Sequence, residues 1–160
     1  MEFIVWYLGK ESRAQKLCET YGQGWPMVEL SQFMGDYLFV PLFSLLIENA
    51  RPIGYAEILD EHLYSEPDLQ DQAKLLAGTA EGQFVQRVNP EFVSLLAAIS
   101  PSLIDALADK WYAATEMQEF YQSWDEGEAR PEVVRMLTEL APLARRAVAE
   151  KKVLMQLSCL

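Results

Sequence analysis

Both ends of this 160-residue chain are short apolar runs too hydrophobic to lie in solvent. Phe3-Ile4-Val5-Trp6-Tyr7-Leu8, closed by Gly9, is β-branched, aromatic and aliphatic throughout, which reads as a strand covered on both faces. Val153 to Cys159 reads as a closing strand, with Val153, Met155 and Leu157 on one face. A strand at each end is a strong constraint, because it places both termini in one small sheet on which everything between must pack. The intervening patterns are mostly helical. The expected class is therefore α+β, a predominantly helical single domain spanning 1–160, with strands at about 3–8 and 153–158 in its sheet. An apolar fraction of 51% is enough to build a core and argues against disorder, and only 2 cysteines rule out a disulfide scaffold.

The helical patterns are clearest in the second half. Asn89-Pro90 and Ser100-Pro101 repeat one device, a capping residue followed by proline at the first helical position. They predict helices at about 90–99 and 101–122, and in the second Leu103, Leu107, Trp111, Ala114, Gln118 and Tyr121 form one stripe. Asp125 to Arg130 reads as a charged loop, and Pro131 opens a last helix whose apolar stripe keeps register across Pro142, implying a kink there and not a break. In the first half, helices are expected at Glu11 to Tyr21, Pro41 to Ala50, about 55–63 and Asp68 to Ala77. Short strands are expected at Met27 to Leu30 and Phe84 to Val88.

Charge narrows the class of partner. The formal net charge is −11, and two segments carry it: eight acids against two bases from Glu48 to Glu81, and seven against one from Asp105 to Glu128. Such a field repels phosphate backbones and anionic lipid and attracts cationic surfaces, so neither nucleic acid nor membrane is an expected partner. Met1 to Leu8 carries an acid where a secretory signal has its basic region, which points to a cytoplasmic protein. Cys18 and Cys159 lack CxxC spacing and are expected as reduced thiols in that compartment.

Chemistry-bearing motifs are sparse. His62 is the sole histidine, and Glu57 stands five residues from it, off the helical spacing that lets two side chains share an ion, so no metal and no cofactor is expected. Cys18 sits on an apolar stripe without a nucleophile signature, and Gly22-Gln23-Gly24 lacks the Lys-Ser/Thr of a phosphate loop. Carboxylates are numerous, but nothing in the pattern selects a catalytic pair.

Trp111 to Trp124 is the most unusual stretch, with Trp111, Tyr112, Phe120, Tyr121 and Trp124 interleaved with Thr115, Glu116, Gln118 and Glu119. Two uses follow from it. In the first, Tyr112, Glu116, Trp124, Asp125 and Glu126 form a partner-binding face, since carboxylates speed encounter with a cationic surface and Trp and Tyr anchor it. That makes the chain a non-enzymatic cytoplasmic binding protein, of the immunity or antitoxin type, acting on a basic protein partner. In the second, Trp111, Gln118, Tyr121 and Trp25 line an aromatic pocket for a small molecule, with Gln23 and Tyr37 contributing from the irregular N-terminal connection.

Overall fold

A computed structural model of the chain describes residues 3–50, 75–79 and 81–159. The strands are β1 (Phe3–Gly9), β2 (Met27–Glu29), β3 (Leu75–Gly78), β4 (Gln83–Arg87) and β5 (Val153–Cys159). They form one antiparallel sheet in the order β2-β1-β5-β4-β3. The helices are α1 (Ala14–Thr20), α2 (Phe39–Ala50), α3 (Pro90–Ala97), α4 (Ile104–Tyr112), α5 (Thr115–Phe120) and α6 (Glu126–Glu150). The fold is α+β, with both terminal strands in the sheet, as the apolar runs imply.

The two terminal strands are direct neighbours at the centre of the sheet, paired from Phe3↔Cys159 to Gly9↔Val153. Strand alternation then sorts their side chains into two layers. Ile4, Trp6, Leu8 and Leu154 face α2, α3, α4 and α6, where the larger core lies. Val5, Tyr7, Met155, Leu157 and Cys159 face the other way, together with Val85 of β4, and are covered by Ala14, Leu17 and Cys18 of α1. The larger core is organised around rings: Phe39 lies 5.0 Å from Trp6 and 5.6 Å from Trp111, and Phe92 meets Phe43 edge-on at 5.3 Å. Offset and edge-on ring contacts of this kind add to the large apolar area that aromatic side chains bury.

Several boundaries differ from the sequence expectation. The helix expected over 101–122 is a 3-10 turn (Pro101–Leu103) followed by α4 and α5, with Ala114 extended between them. On an unbroken helix Gln118 would follow Trp111 inward, seven residues on. The break lets Met117 take the buried place and turns Gln118 out, so a thioether enters the core in place of an amide. The expected loop at 125–130 is the first turns of α6, and Pro131 lies inside the helix. Proline there removes one bond, to the Gly127 carbonyl near the exposed end, a smaller loss than in mid-helix. The helix also runs through Pro142 to Glu150.

Leu75–Gly78, expected as the end of a helix, pairs with β4 as an edge strand, and the Thr79 amide donates to the Gln83 carbonyl at 2.8 Å to close the hairpin. The remainder of that expected helix, the expected helix at 55–63, His62 and the carboxylates from Glu57 to Asp71 lie outside the described residues. No single helix among the described residues is long and apolar enough to cross a membrane.

Candidate functional site

The segment joining β2 to α2 is fixed at both ends and exposed in the middle. At its start the Leu30 amide donates to the Ile4 carbonyl at 3.1 Å, and the buried Ser31 hydroxyl lies 2.8 Å from that of Tyr121. Ser31 Oγ is also 3.1 Å from Glu132 Oε1 on α6. The ionised carboxylate can only accept, so Ser31 donates to Glu132 and receives the Tyr121 proton. Arg135 holds Glu132 in a two-point contact at 2.9 and 2.5 Å, reaches Glu139 at 2.7 Å and donates to the Glu29 carbonyl at 2.8 Å. This guanidinium keeps the Glu132 carboxyl below its ordinary pKa, while burial pushes the Tyr121 phenol up to about 12. At the far end of the segment, Trp111 Nε1 donates to the Leu38 carbonyl at 2.8 Å.

Between these ties stand two aromatic rings in solvent, Phe33 at 59% exposure and Tyr37 at 56%. Phe33 adopts φ +64°, a left-handed conformation that costs an L-residue with a Cβ roughly 1–2 kcal/mol. Gly35 allows Tyr37 its position, since a Cβ there would come within 2.8 Å of the Tyr37 ring. Strain at an exposed aromatic residue, held in place by buried hydrogen bonds on either side, is a feature found at binding sites.

The aromatic stretch supplies the ground beneath this loop. Tyr121 is buried and ringed edge-on by Phe120 at 4.7 Å, Trp124 at 5.0 Å and Tyr112 at 6.1 Å. Tyr112 and Trp124, which pack on Tyr121, are half-buried and keep part of their surface in solvent, and Glu116 is half-buried as well. Asp125 stands at the N-cap position of α6 without a side-chain capping bond, and the helix opens with Glu126. Glu119, Asp125 and Glu128 are exposed. They make no ion pair among the described residues, unlike Asp109, which binds Arg130 at 2.6 Å.

The expected pocket is not assembled. Trp111 is sealed between Phe39 and the Leu38 carbonyl, with 0% exposure. Gln118 points outward, its amide donating to the Tyr112 carbonyl at 2.6 Å. Trp25 lies across the sheet in the α1 layer, under the Arg13 guanidinium at 5.8 Å, and Gln23 is exposed. Of that set Trp111 and Tyr121 are buried together in the larger core, whereas a strand and its connection commit Trp25 to the opposite face.

Sequence reasoning missed Phe33, Ser31, Glu132 and Arg135. Single residues far apart in the chain leave no local pattern, although an aromatic residue beside glycine in a loop is a signal worth weighing. A separate groove of about 470 Å³, walled by Leu46, Leu95, Ile99, Leu103 and Leu107 with Lys110 at its edge, holds neither Trp111 nor Gln118.

Among the described residues no three histidine, cysteine or acidic side chains are grouped to hold a metal. Both cysteines are buried free thiols, and burial raises the pKa of each, the reverse of what an activated nucleophile needs. No family model, no curated protein and no solved structure matches the chain.

Proposed function

We propose that this is a binding protein of the immunity or antitoxin type, capturing a basic protein partner on the face formed by the 31–37 loop and the acidic turn that follows Trp124. The observation that carries this reading is the pair of exposed rings, Phe33 and Tyr37, on a loop pinned by Ser31–Tyr121 at one end and Trp111–Leu38 at the other. A loop fixed before encounter loses little entropy on docking, and exposed aromatic anchors supply contact area. Asp125 follows Trp124 directly, and Trp124 packs on Tyr121, so carboxylates that make no ion pair among the described residues border the same region. These charges draw a cationic surface in, the rings anchor it, and the bulk of the helical layer occludes whatever the partner would otherwise engage.

The test is capture from a native lysate at low and high salt, using the native chain, Phe33→Ala/Tyr37→Ala and Asp125→Asn/Glu128→Gln as baits. The reading requires a basic protein that the native chain retains at low salt, that the ring variant loses, and that added salt or the amide variant weakens. Equal retention by all three baits, or binding indifferent to salt, overturns it. A second reading, a small-molecule domain, rests on the apolar groove beside Lys110, and a metabolite that raises the melting temperature of the native chain would favour it.

A further inference from the structure

The second, smaller core encloses two thiols that nothing in the proposed function uses. Cys18 is on the sheet-facing side of α1, with Ala14 and Leu17, and is 1% exposed. Cys159 is on the central strand β5 and is 8% exposed, with its side chain in the same layer. One side-chain contact, read with the strand register, relates the end of α1 to that strand. The Gln83 amide donates to the hydroxyl of Tyr21, which follows α1 directly, and Gln83 is the register partner of Cys159 across β4 and β5. Cys18 precedes Tyr21 by three residues, about one helical turn, so the end of α1 brings its inward thiol over the end of β5. Both side chains belong to the same buried cluster, and the charge of a Cys18 thiolate is one cause of the raised Cys159 pKa.

We propose that Cys18 and Cys159 are a redox site that closes to a disulfide, stapling α1 to the central strand and joining the two ends of the chain. The oxidant is a low-molecular-weight disulfide of the glutathione type. One protein thiolate attacks a sulfur of that disulfide, forming a mixed disulfide and releasing one small thiol. The second protein thiolate then attacks the protein sulfur of the mixed disulfide and releases the other small thiol. Two protein thiols lose two hydrogens and two electrons, and the small disulfide gains them. Burial makes the reduced pair slow to react, so the rate follows the opening of α1, a seven-residue helix on the outside of the sheet. Because the bridge encloses almost the whole chain, it constrains the unfolded state strongly.

The test is incubation of the natively folded protein with oxidised glutathione, then alkylation and non-reducing peptide mapping. The site requires a monomer lacking two hydrogens, a linked peptide pair containing Cys18 and Cys159, and a melting temperature several degrees higher that dithiothreitol reverses. Cys18→Ala and Cys159→Ala, checked for native circular dichroism, should each stop at a glutathione adduct on the remaining thiol. A persistent adduct on the native chain, a dimer, or two thiols still free after prolonged exposure overturns the proposal.

Discussion

The hydroxyls of Ser31 and Tyr121, ninety residues apart in the chain, meet at 2.8 Å inside the helical layer. That contact ties the loop after β2 to the aromatic residues at the end of α5, and through Glu132 to α6. The phenol is held neutral there, with a pKa of about 12 against 10 when unfolded. Below pH 10 both states carry the proton and Tyr121 adds no pH dependence. Between pH 10 and 12 the unfolded chain ionises first, so stability falls as pH rises, by up to about 2–3 kcal/mol for a two-unit shift. Urea midpoints taken from pH 8 to 11 should decline, and Tyr121→Phe should flatten part of the decline above pH 10, the rest coming from Tyr7, Cys18 and Cys159, whose pKa values burial also raises.

A second relationship holds the sheet to the core. Trp6 Nε1 donates to Gln156 Oε1 at 2.9 Å, both residues buried on the central strands. Gln156→Met keeps the volume but leaves the indole N–H without that acceptor, which costs about 1–3 kcal/mol. Chemical denaturation should show a lower midpoint with an unchanged m-value.

Glycine substitutions should separate cleanly. Gly22 has φ +68°, and a Cβ there would lie 2.1 Å from the Tyr7 ring, whose hydroxyl is itself bound to the Tyr21 carbonyl. Gly22→Ala should therefore destabilise by more than about 1–2 kcal/mol, from the left-handed backbone alone. Gly127, in the first turn of α6, has open space where a Cβ would go. Gly127→Ala should raise stability by roughly 0.5 kcal/mol, and thermal melts of the two variants check both signs.

Phe33 should show a trade between stability and binding. Glycine removes the left-handed penalty but adds unfolded-chain entropy, so Phe33→Gly should leave stability unchanged or raise it by about 0.5–1 kcal/mol. The same variant removes an exposed ring at 59% exposure, and retention of the captured basic protein should fall at least tenfold.

The terminal strands and the capped helix at Pro90 were legible in the sequence because their signals are local: an apolar run, an alternating run, an Asn-Pro cap whose side chain accepts from the Glu91 amide at 2.8 Å. Helix boundaries near 113 and 131 were not, because tertiary packing chose Met117 over Gln118 for burial and tolerated Pro131 in an exposed turn. The candidate site was half legible. Composition marked out Tyr112, Tyr121, Trp124 and Asp125, but no local pattern reports that Ser31 lies under Tyr121 or that Phe33 is left-handed. Trp25 was drawn to the wrong partners for the same reason: which face of the sheet a connection follows depends on strand order, which spacing does not reveal.

The most direct measurement of the central claim is hydrogen–deuterium exchange of the protein, free and bound to the basic protein it captures. The account predicts slowed exchange at 31–37 and at 119–128, with the sheet unchanged. Protection confined to other surfaces, such as the groove around 98–110, with 31–37 exchanging as fast as in the free protein, would contradict it.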